Sequence, residues 1–298
     1  MSTDWNSHKK HRAQVVKDFG QWIGLLDENG QPICDLPQPL TMTAPRGRGS
    51  VGSFQATFDL GDETGGLSHP AVRALIDDTM GLTDDTGHVT PTSHTRIIVI
   101  ERASGYRQAY EVAQRKSKTM AGTHHVMEIN GADMLGKLSR IPIMSMPASW
   151  TATTGNYAWA DITNAWADAE VSVSLGGDYE AKRITLAKRA TGGFTQGGTE
   201  AGEQTLWKVL DESIRAAFTL AGTRPGIIAV KPTTNLVDPM LIKPSDGDAW
   251  AELSARATAA GITISSDWWF PGDPQPTQTN NAPALTDSTM LIRLEATA

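Results

Sequence analysis

The sequence predicts an α+β fold that is rich in β-structure and has short helices between its strands. Residues 1–150 contain several short segments in which apolar and polar side chains alternate, as in strands with one buried face. An Asn-Gly pair directly after an apolar run is a strong signal for a β-hairpin. The last third of the chain repeats a strand–helix or helix–strand order, which is typical of α+β folds.

The first predicted strands flank the pair Asn29-Gly30, whose residues tolerate the positive φ of a hairpin turn. The segment LLDENGQPI is therefore predicted to be a β-hairpin. A Gly/Arg-rich turn follows, and then a strand within residues 51–60. That strand is indicated by the near-alternation of its apolar side chains: Val51, Phe54, Ala56, Phe58 and Leu60.

Three more elements are predicted before residue 150. Residues 69–81 form a short amphipathic helix, with a proline in the first turn and a glycine at the end. Residues 95–105 contain four successive apolar side chains and predict a buried strand. Residues 122–131 alternate again, with His125, Met127 and Ile129 on one face.

The rest of the chain mixes helices and strands. Residues 205–222 form the clearest helix, and residues 245–270 give an Asp-capped helix followed by a strand. That second helix places Trp250, Leu253 and Ala257 on one face. Strands are also predicted within three further segments: 179–204 (followed by a Gly/Thr-rich loop), 224–232 and 289–296. We predict three domains: a β-rich domain at 1–150, a middle α+β domain at 151–223, and a C-terminal helix–strand domain at 224–298.

Composition and charge narrow the classes of protein. Net charge is −7, which argues against a protein that wraps nucleic acid through its phosphates. No apolar run approaches the roughly 20 residues of a membrane helix. The N-terminus MSTDWNSHKKHR lacks an apolar signal core, so a cleaved secretion signal is not expected. The single cysteine, Cys34, is interpreted as a small half-buried residue.

The segment HHVMEINGADMLGKL, residues 124–138, is the strongest chemical candidate. Its adjacent histidines, His124 and His125, point to opposite faces of a strand and cannot bind one metal. The pair Asn130-Gly131 is predicted to end the strand in a turn, and Asp133 to cap the first turn of the helix that follows. The prediction is strand, turn and helix, with no catalytic or metal-binding role.

Other signatures of chemistry also fail. RGRGSVGS lacks the Gly-Lys-Ser/Thr ending of a phosphate loop, and the aspartate pairs at 77–78 and 84–85 lack the spacing of a calcium loop. We therefore predict no enzyme activity and no cofactor. The nine tryptophans are interpreted first as core or interface anchors. The candidates for that role are Trp22, Trp150, Trp159, Trp166, Trp207 and Trp250.

Three segments carry a resemblance to a known family. The first is GQWIGLLDENGQPICDLPQPLTMTAPRGRGSVGSFQATFDL, the second VMEINGADMLGKLSRIPI, and the third DGDAWAELSARATAAGITISSDWWF. Together they resemble the baseplate hub or minor tail proteins of long-tailed phages of actinobacteria. The first is similar to the opening hairpin, turn and strand of that family, the second to its strand, turn and helix, with Ala132 where an arginine is common, and the third to its late helix–strand unit.

The resemblance implies hub-like β-barrel or β-sandwich domains in a ring-forming virion protein of the tail tip, without catalysis. It implies a homotrimer, assembled in the host cytoplasm, that joins the tail tube or distal tail ring to the tip proteins. A hexamer would instead indicate the distal tail ring. Loops such as 190–204 and 271–283 are expected to order only against neighbouring subunits.

Two alternatives remain open. A carbohydrate-binding tail component would present exposed Trp159 or Trp166 to host cell-wall sugars. A hydrolase would place two carboxylates within roughly 5–9.5 Å of each other in a cleft, but the sequence nominates no such pair.

Overall fold

The computed structural model of the chain describes residues 3–61, 69–76, 83, 85–88, 94–105, 107–118, 126–142, 169–173, 182–191, 204–205, 214–215, 218, 228–230, 240–242, 247–259, 261–278 and 284–296. The helices with described bounds are α1 (Trp5–Phe19), α2 (Pro70–Leu75), a 3-10 helix (Met134–Arg140) and α3 (Ala249–Ala259). The described fold is dominated by β-strands with a few short helices, as predicted.

Fourteen strands have described bounds. They are β1 (Gln21–Leu26), β2 (Pro32–Asp35), β3 (Thr41–Thr43), β4 (Ser53–Asp59), β5 (Ile97–Arg102), β6 (Arg107–Lys118), β7 (Val126–Asp133), β8 (Ala169–Val173), β9 (Lys182–Thr191), β10 (Gln204–Thr205), β11 (Ile228–Val230), β12 (Met240–Ile242), β13 (Ile262–Trp269) and β14 (Thr289–Ala296). A seven-stranded antiparallel sheet has the order β2-β1-β5-β6-β7-β4-β3. A four-stranded sheet joins β8, β9, β10 and β12, and a three-stranded sheet has the order β11-β14-β13.

The large sheet is curled, and a short connection explains why. Its two outermost strands, β2 and β3, are consecutive in the chain: β2 ends at Asp35 and β3 begins at Thr41. Six residues of extended chain reach at most roughly 20–22 Å. A flat sheet of seven strands would separate its outer strands by about 29 Å, since neighbouring strands lie roughly 4.8 Å apart. The sheet must therefore bend until its two edges approach each other.

Curling gives the sheet an inner and an outer face, and both faces are buried at β1 and β5. The inner core contains Ile23 and Leu25 of β1, Ile98 and Ile100 of β5, and the apolar side chains of α2. The outer core takes the alternate residues of the same strands: Trp22, Leu26, Ile97 and Val99. Two-sided burial explains why β5 has an unbroken apolar run. The prediction of a buried strand here is confirmed.

The C-terminal segment covers the outer face. Leu253 and Ala257 of α3, and Ile262, Ile264 and Trp268 of β13, lie in the same buried cluster as Trp22 and Leu26. Asp248 caps α3, because its Oδ1 accepts from Ala251 N at 2.8 Å. The predicted helix, the strand after it and the terminal strand are therefore confirmed. The two ends of the described chain share one core, while the division into three domains stays a prediction.

The hairpin at Asn29-Gly30 and the strand within 51–60 are also confirmed, as β1–β2 and β4. The hairpin loop holds five residues because Asp27 Oδ1 accepts from both Asn29 N and Gln31 N. Within the predicted helix at 205–222, the structure describes four positions. Thr205 lies in strand β10, so the helix does not begin there, whereas 214, 215 and 218 are helical. Ile214 and Phe218 are buried in the outer core.

Several expectations from the sequence need correction. Helix α1 was not predicted, although its start and end are marked by the capping side chain of Asp4 and by Gly20 at φ 80°. The helix predicted at 69–81 ends at Leu75 in the described chain, and 77–82 lie outside the described residues. Residues 271–278 are ordered against their own chain, since Gln275 exchanges two hydrogen bonds with Leu285 and Trp269 Nε1 donates to Pro274 O.

The predicted turn at Asn130-Gly131 is wrong, because β7 runs without a break to Asp133. Gly131 lies inside the sheet, where a Cβ would collide with the carbonyl oxygen of Glu111 on β6. The register of β6 against β7 shifts between Val112 and Gln114, next to this close approach. The glycine is required by the contact between two backbones and not by a turn.

Replacing Gly131 with alanine tests this account. The added Cβ must displace the backbone of β6, so the free energy of unfolding should fall by roughly 1–3 kcal/mol. Ser53→Ala is the control, because Ser53 is exposed on neighbouring β4 and its loss should change stability by at most about 0.5 kcal/mol. Urea unfolding of both variants measures the difference. Equal stabilities would contradict the close approach.

Candidate functional site

The most unusual group of side chains lies where α1 packs onto β1 and the loop after β13. We call it the α1 cluster, and its members combine aromatic rings with four charged groups. They are Trp5, His8, Arg12, Trp22, Glu101, Arg107, Phe270 and Asp273. Asp4 caps the start of α1 by accepting from Asn6 N and Ser7 N. Within the helix, His8 and Arg12 are four residues apart and therefore lie on the same face.

The aromatic half of the cluster encloses His8. Its ring centroid lies 5.5 Å from Trp5, 5.5 Å from Trp22 and 5.4 Å from Phe270, each in an edge-to-face arrangement. Neither ring nitrogen of His8 finds a hydrogen-bond partner among the described residues. Burial, followed by the positive charge of Arg12, lowers the pKa of His8 to about 4. The imidazole is therefore neutral at neutral pH.

The charged half pairs two arginines with two carboxylates. Arg107 makes the close contacts: Nη2 lies 2.8 Å from Glu101 Oε2, and Nη1 lies 2.5 Å from Asp273 Oδ2. Arg107 Nη1 also donates to the carbonyl oxygen of Trp268 at 3.0 Å. Opposing charges and hydrogen bonds outweigh burial, so the pKa of Arg107 is raised. These bonds fasten β5 and β6 to the end of β13.

Arg12 is buried without comparable bonds. Its side chain is 1% exposed, and its contacts with Glu101 and Asp273 are long, at 3.5 and 3.6 Å. Nε and Nη1 have no hydrogen-bond partner among the described residues. The guanidinium lies over aromatic faces instead, 4.2 Å from the Phe270 centroid and 5.6 Å from that of Trp22. Burial lowers its pKa to about 10.

The α1 cluster is built for attachment. It is the place where the described chain brings two carboxylates, Glu101 and Asp273, to the same arginine. Both carboxylates accept hydrogen bonds from Arg107. These residues were not predicted as a group because Arg12 and Asp273 are far apart in the chain from each other and from the pair Glu101 and Arg107. A buried charge looks like a surface charge until the fold is known.

Asp133 forms a second buried polar site. It is 1% exposed, and it caps the 3-10 helix as predicted by accepting from Leu135 N at 3.1 Å. Its other oxygen accepts from Gly52 N at 2.8 Å, while Asp133 N donates to Gly52 O. Burial raises the pKa of Asp133 to about 6, although the hydrogen bonds from Gly52, Leu135 and Gly136 oppose that shift. The carboxylate ties β7 to the chain before β4.

The tryptophan candidates divide into two groups. Trp22 is buried, with its Nε1 donating to Asp35 Oδ1 at 2.8 Å, and Trp250 packs half-buried against the outer core. Trp150, Trp159, Trp166 and Trp207 lie outside the described residues, as do His124 and His125. Two unnominated tryptophans, Trp268 and Trp269, are also buried. The interface role of all six candidates stays a prediction.

Among the described residues, three large apolar side chains are exposed. Phe19 ends α1, Ile33 lies on edge strand β2, and Leu40 directly precedes edge strand β3. Gln21 and Gln38 hydrogen-bond each other, which brings the segments that carry Phe19 and Leu40 to the same end of the sheet. Phe19 and Leu40 are 65% and 60% exposed.

Within the described part of the chain, no three His, Cys, Asp or Glu side chains are grouped so as to hold a metal ion. The helices of this part include none long and apolar enough to cross a membrane. The aspartate pairs at 77–78 and 84–85 are described at Asp85 alone. Burial raises the pKa of the Cys34 thiol to about 11.

No family model matches this sequence. A search of curated proteins likewise finds no match.

Removing the charge of either arginine in the α1 cluster should affect stability very differently. Arg12→Met keeps the apolar packing and removes a poorly bonded buried charge, so stability should change by less than about 1 kcal/mol or increase. Arg107→Met leaves Glu101 and Asp273 without their close partner and should cost roughly 3–5 kcal/mol. Urea unfolding at pH 7 compares the two. A larger loss for Arg12→Met would show that Arg12 is the main partner of the carboxylates.

The raised pKa of Asp133 predicts how the free energy of unfolding changes with pH, including the sign of that change. Its pKa in the fold is above the ordinary value of 3.8, so the folded state holds the proton more tightly than the unfolded state. Stability from this group is present below pH 3.8 and is lost as the pH rises through about 6. The stability of wild type relative to Asp133→Asn, measured as the difference between their unfolding free energies, should therefore be lower at pH 7 than at pH 4. The change should be on the order of 2–3 kcal/mol.

The measurement is urea unfolding of both proteins at intervals between pH 4 and pH 7. Groups shared by the two proteins cancel in the difference. A difference that is constant with pH, or that grows in favour of wild type as the pH rises, would contradict the buried environment of Asp133.

Proposed function

We propose that this chain is a structural virion protein of the phage tail tip, a baseplate hub or minor tail protein of a long-tailed actinobacterial phage. In this role it forms a ring, as a homotrimer, and joins the tail tube or distal tail ring to the tip proteins. It is assembled in the host cytoplasm and has no catalytic site. Its β-rich body serves as a hub domain of barrel or sandwich type.

The observation that carries the proposal is the convergence of the three segments on which the resemblance rests. Residues 20–60 supply β1 and β4, residues 126–143 supply β7 and the 3-10 helix, and residues 246–270 supply α3 and β13. Of these elements, β1, the 3-10 helix, α3 and β13 meet in the outer core, where Trp22, Leu135 and Leu253 belong to the same buried cluster. Strands β4 and β7 contribute to the inner core instead. Segments far apart in sequence thus form one structural unit, as a shared hub fold requires.

The surface of the curled sheet supports an assembly role. Curling brings its two edge strands together, and the exposed apolar side chains Phe19 and Leu40 lie at one end of it. Exposed large apolar side chains at the end of a rigid β-scaffold suit contact with a neighbouring ring or subunit. The carbohydrate-binding alternative rests on Trp159 and Trp166, which lie outside the described residues.

The mass of the purified chain in solution tests the proposal. Light scattering should give three times the 32.0 kDa of one chain, and negative-stain images should show a three-fold ring. The double variant Phe19→Ser, Leu40→Ser then tests whether these side chains form the contact between subunits. If they do, their loss should dissociate the ring. Ile33→Ser, on edge strand β2, is the control exposed apolar site.

Two other results would change the assignment. A six-fold ring would move the protein to the distal tail ring. A compact monomer that binds host wall polysaccharide, and loses that affinity in Trp159→Ala or Trp166→Ala, would overturn the hub proposal in favour of sugar recognition.

A further inference from the structure

Helix α1 is attached to the rest of the described chain mainly by side chains. Lys9 Nζ donates to the carbonyl oxygen of Gly272 at 2.6 Å, and His11 Nε2 lies 2.5 Å from Asp35 Oδ2. The helix ends at Gly20, which has φ 80° and open space around its Cα. A glycine in the left-handed region can change its backbone angles at little cost. Gly20 is therefore the position between α1 and β1 at which the chain can turn, and its carbonyl oxygen, which accepts from Ala103 N at 3.1 Å, keeps it attached to the residues after β5.

The face that α1 buries contains two groups whose polar atoms are not satisfied. His8 sits among the rings of Trp5, Trp22 and Phe270 with both nitrogens unpartnered among the described residues. Arg12, one turn later, is buried with two of its nitrogens unpartnered in the same part of the chain. Burying polar groups without hydrogen bonds costs free energy. The unsatisfied polar atoms of His8 and Arg12 therefore reduce the free energy that holds α1 in its docked position.

We infer that α1 is an acid-releasable strap: protonation of His8 within its aromatic enclosure swings the helix away from β1 and the Phe270 loop about Gly20. The enclosure offers the new positive charge no acceptor for either N–H. Its neighbours are the rings of Trp5, Trp22 and Phe270, and the buried guanidinium of Arg12 lies one turn away.

The charged groups that face His8 from every packed element agree with this direction. Arg12 and His11 lie on the same helix as His8, and Arg107 lies on β6. All three disfavour a positive charge on His8. Asp35 on β2 favours it, but Asp35 already binds His11 and the indole N–H of Trp22. Glu101 on β5 and Asp273 after β13 are engaged by Arg107 and Arg12. No carboxylate is left for His8 in this cluster.

The sign follows from linkage between proton binding and docking. The pKa of His8 is about 4 when α1 is docked and near its ordinary 6.5 when α1 is free, so docking favours the neutral ring. Docking is at full strength above pH 6.5 and weakens as the pH falls toward 4. Between pH 7 and pH 5 the ratio of released to docked α1 should rise about 20-fold.

Amide hydrogen exchange of the full chain tests the inference. After correction for the intrinsic pH dependence of exchange, amides of 8–19 should exchange about 20-fold faster at pH 5 than at pH 7, while those of β5 keep their protection. His8→Phe keeps an aromatic ring in the enclosure without a titrating group, so its α1 should show no such rise. His11→Gln removes the neighbouring exposed histidine and should retain the rise.

Three results would overturn the inference. One is the absence of acid-dependent exchange in wild-type α1. Another is an equal rise in His8→Phe, which would assign the effect to a different group. The third is loss of protection in β5 together with α1, which would mean that acid unfolds the whole body and does not release the helix.

Discussion

The short connection between β2 and β3 is the constraint on which the rest of the structure depends. It joins the two outer strands of a seven-stranded sheet over a distance that a flat sheet would exceed. The resulting curl encloses the inner core, which α2 helps to close. It also presents a convex outer face whose apolar residues, among them Trp22 and Val99, require a second cover. That cover comes from both ends of the chain, since α1, α3 and β13 all pack there.

Polar groups decide how these covering elements are fixed. Arg107 satisfies Glu101 and Asp273 and so orients the end of β13 against β5 and β6. Asp133 fixes the start of β4 to the end of β7. Arg12 and His8 contribute rings, methylenes and cation–π contacts, but their nitrogens remain under-bonded among the described residues. The C-terminal cover is thus bonded more completely than the α1 cover, so we expect the two to respond differently to acid and to mutation.

The sequence predicted those parts of the fold whose cause is local. β4, β5, β14 and the α3–β13 unit were found because periodicity, caps and turn residues act over a few positions. Gly131 was misread because a glycine in a turn and one under a neighbouring backbone look alike in sequence. Helix α1 was missed because its buried face includes His8 and Arg12 instead of an apolar stripe. The α1 cluster had no signal at all, since pairing Arg107 with Asp273 depends on a fold that brings distant segments together.

The central claim is that the curled sheet and its C-terminal cover are one cooperative unit. The most direct test follows amide protection in β5, β13 and β14 across a urea titration of the full chain. A single shared core predicts that all three strands lose protection at the same urea concentration and with the same slope. Loss of protection in β13 and β14 at lower urea, while β5 stays protected, would show that the C-terminal segment is a separate domain and would contradict this account.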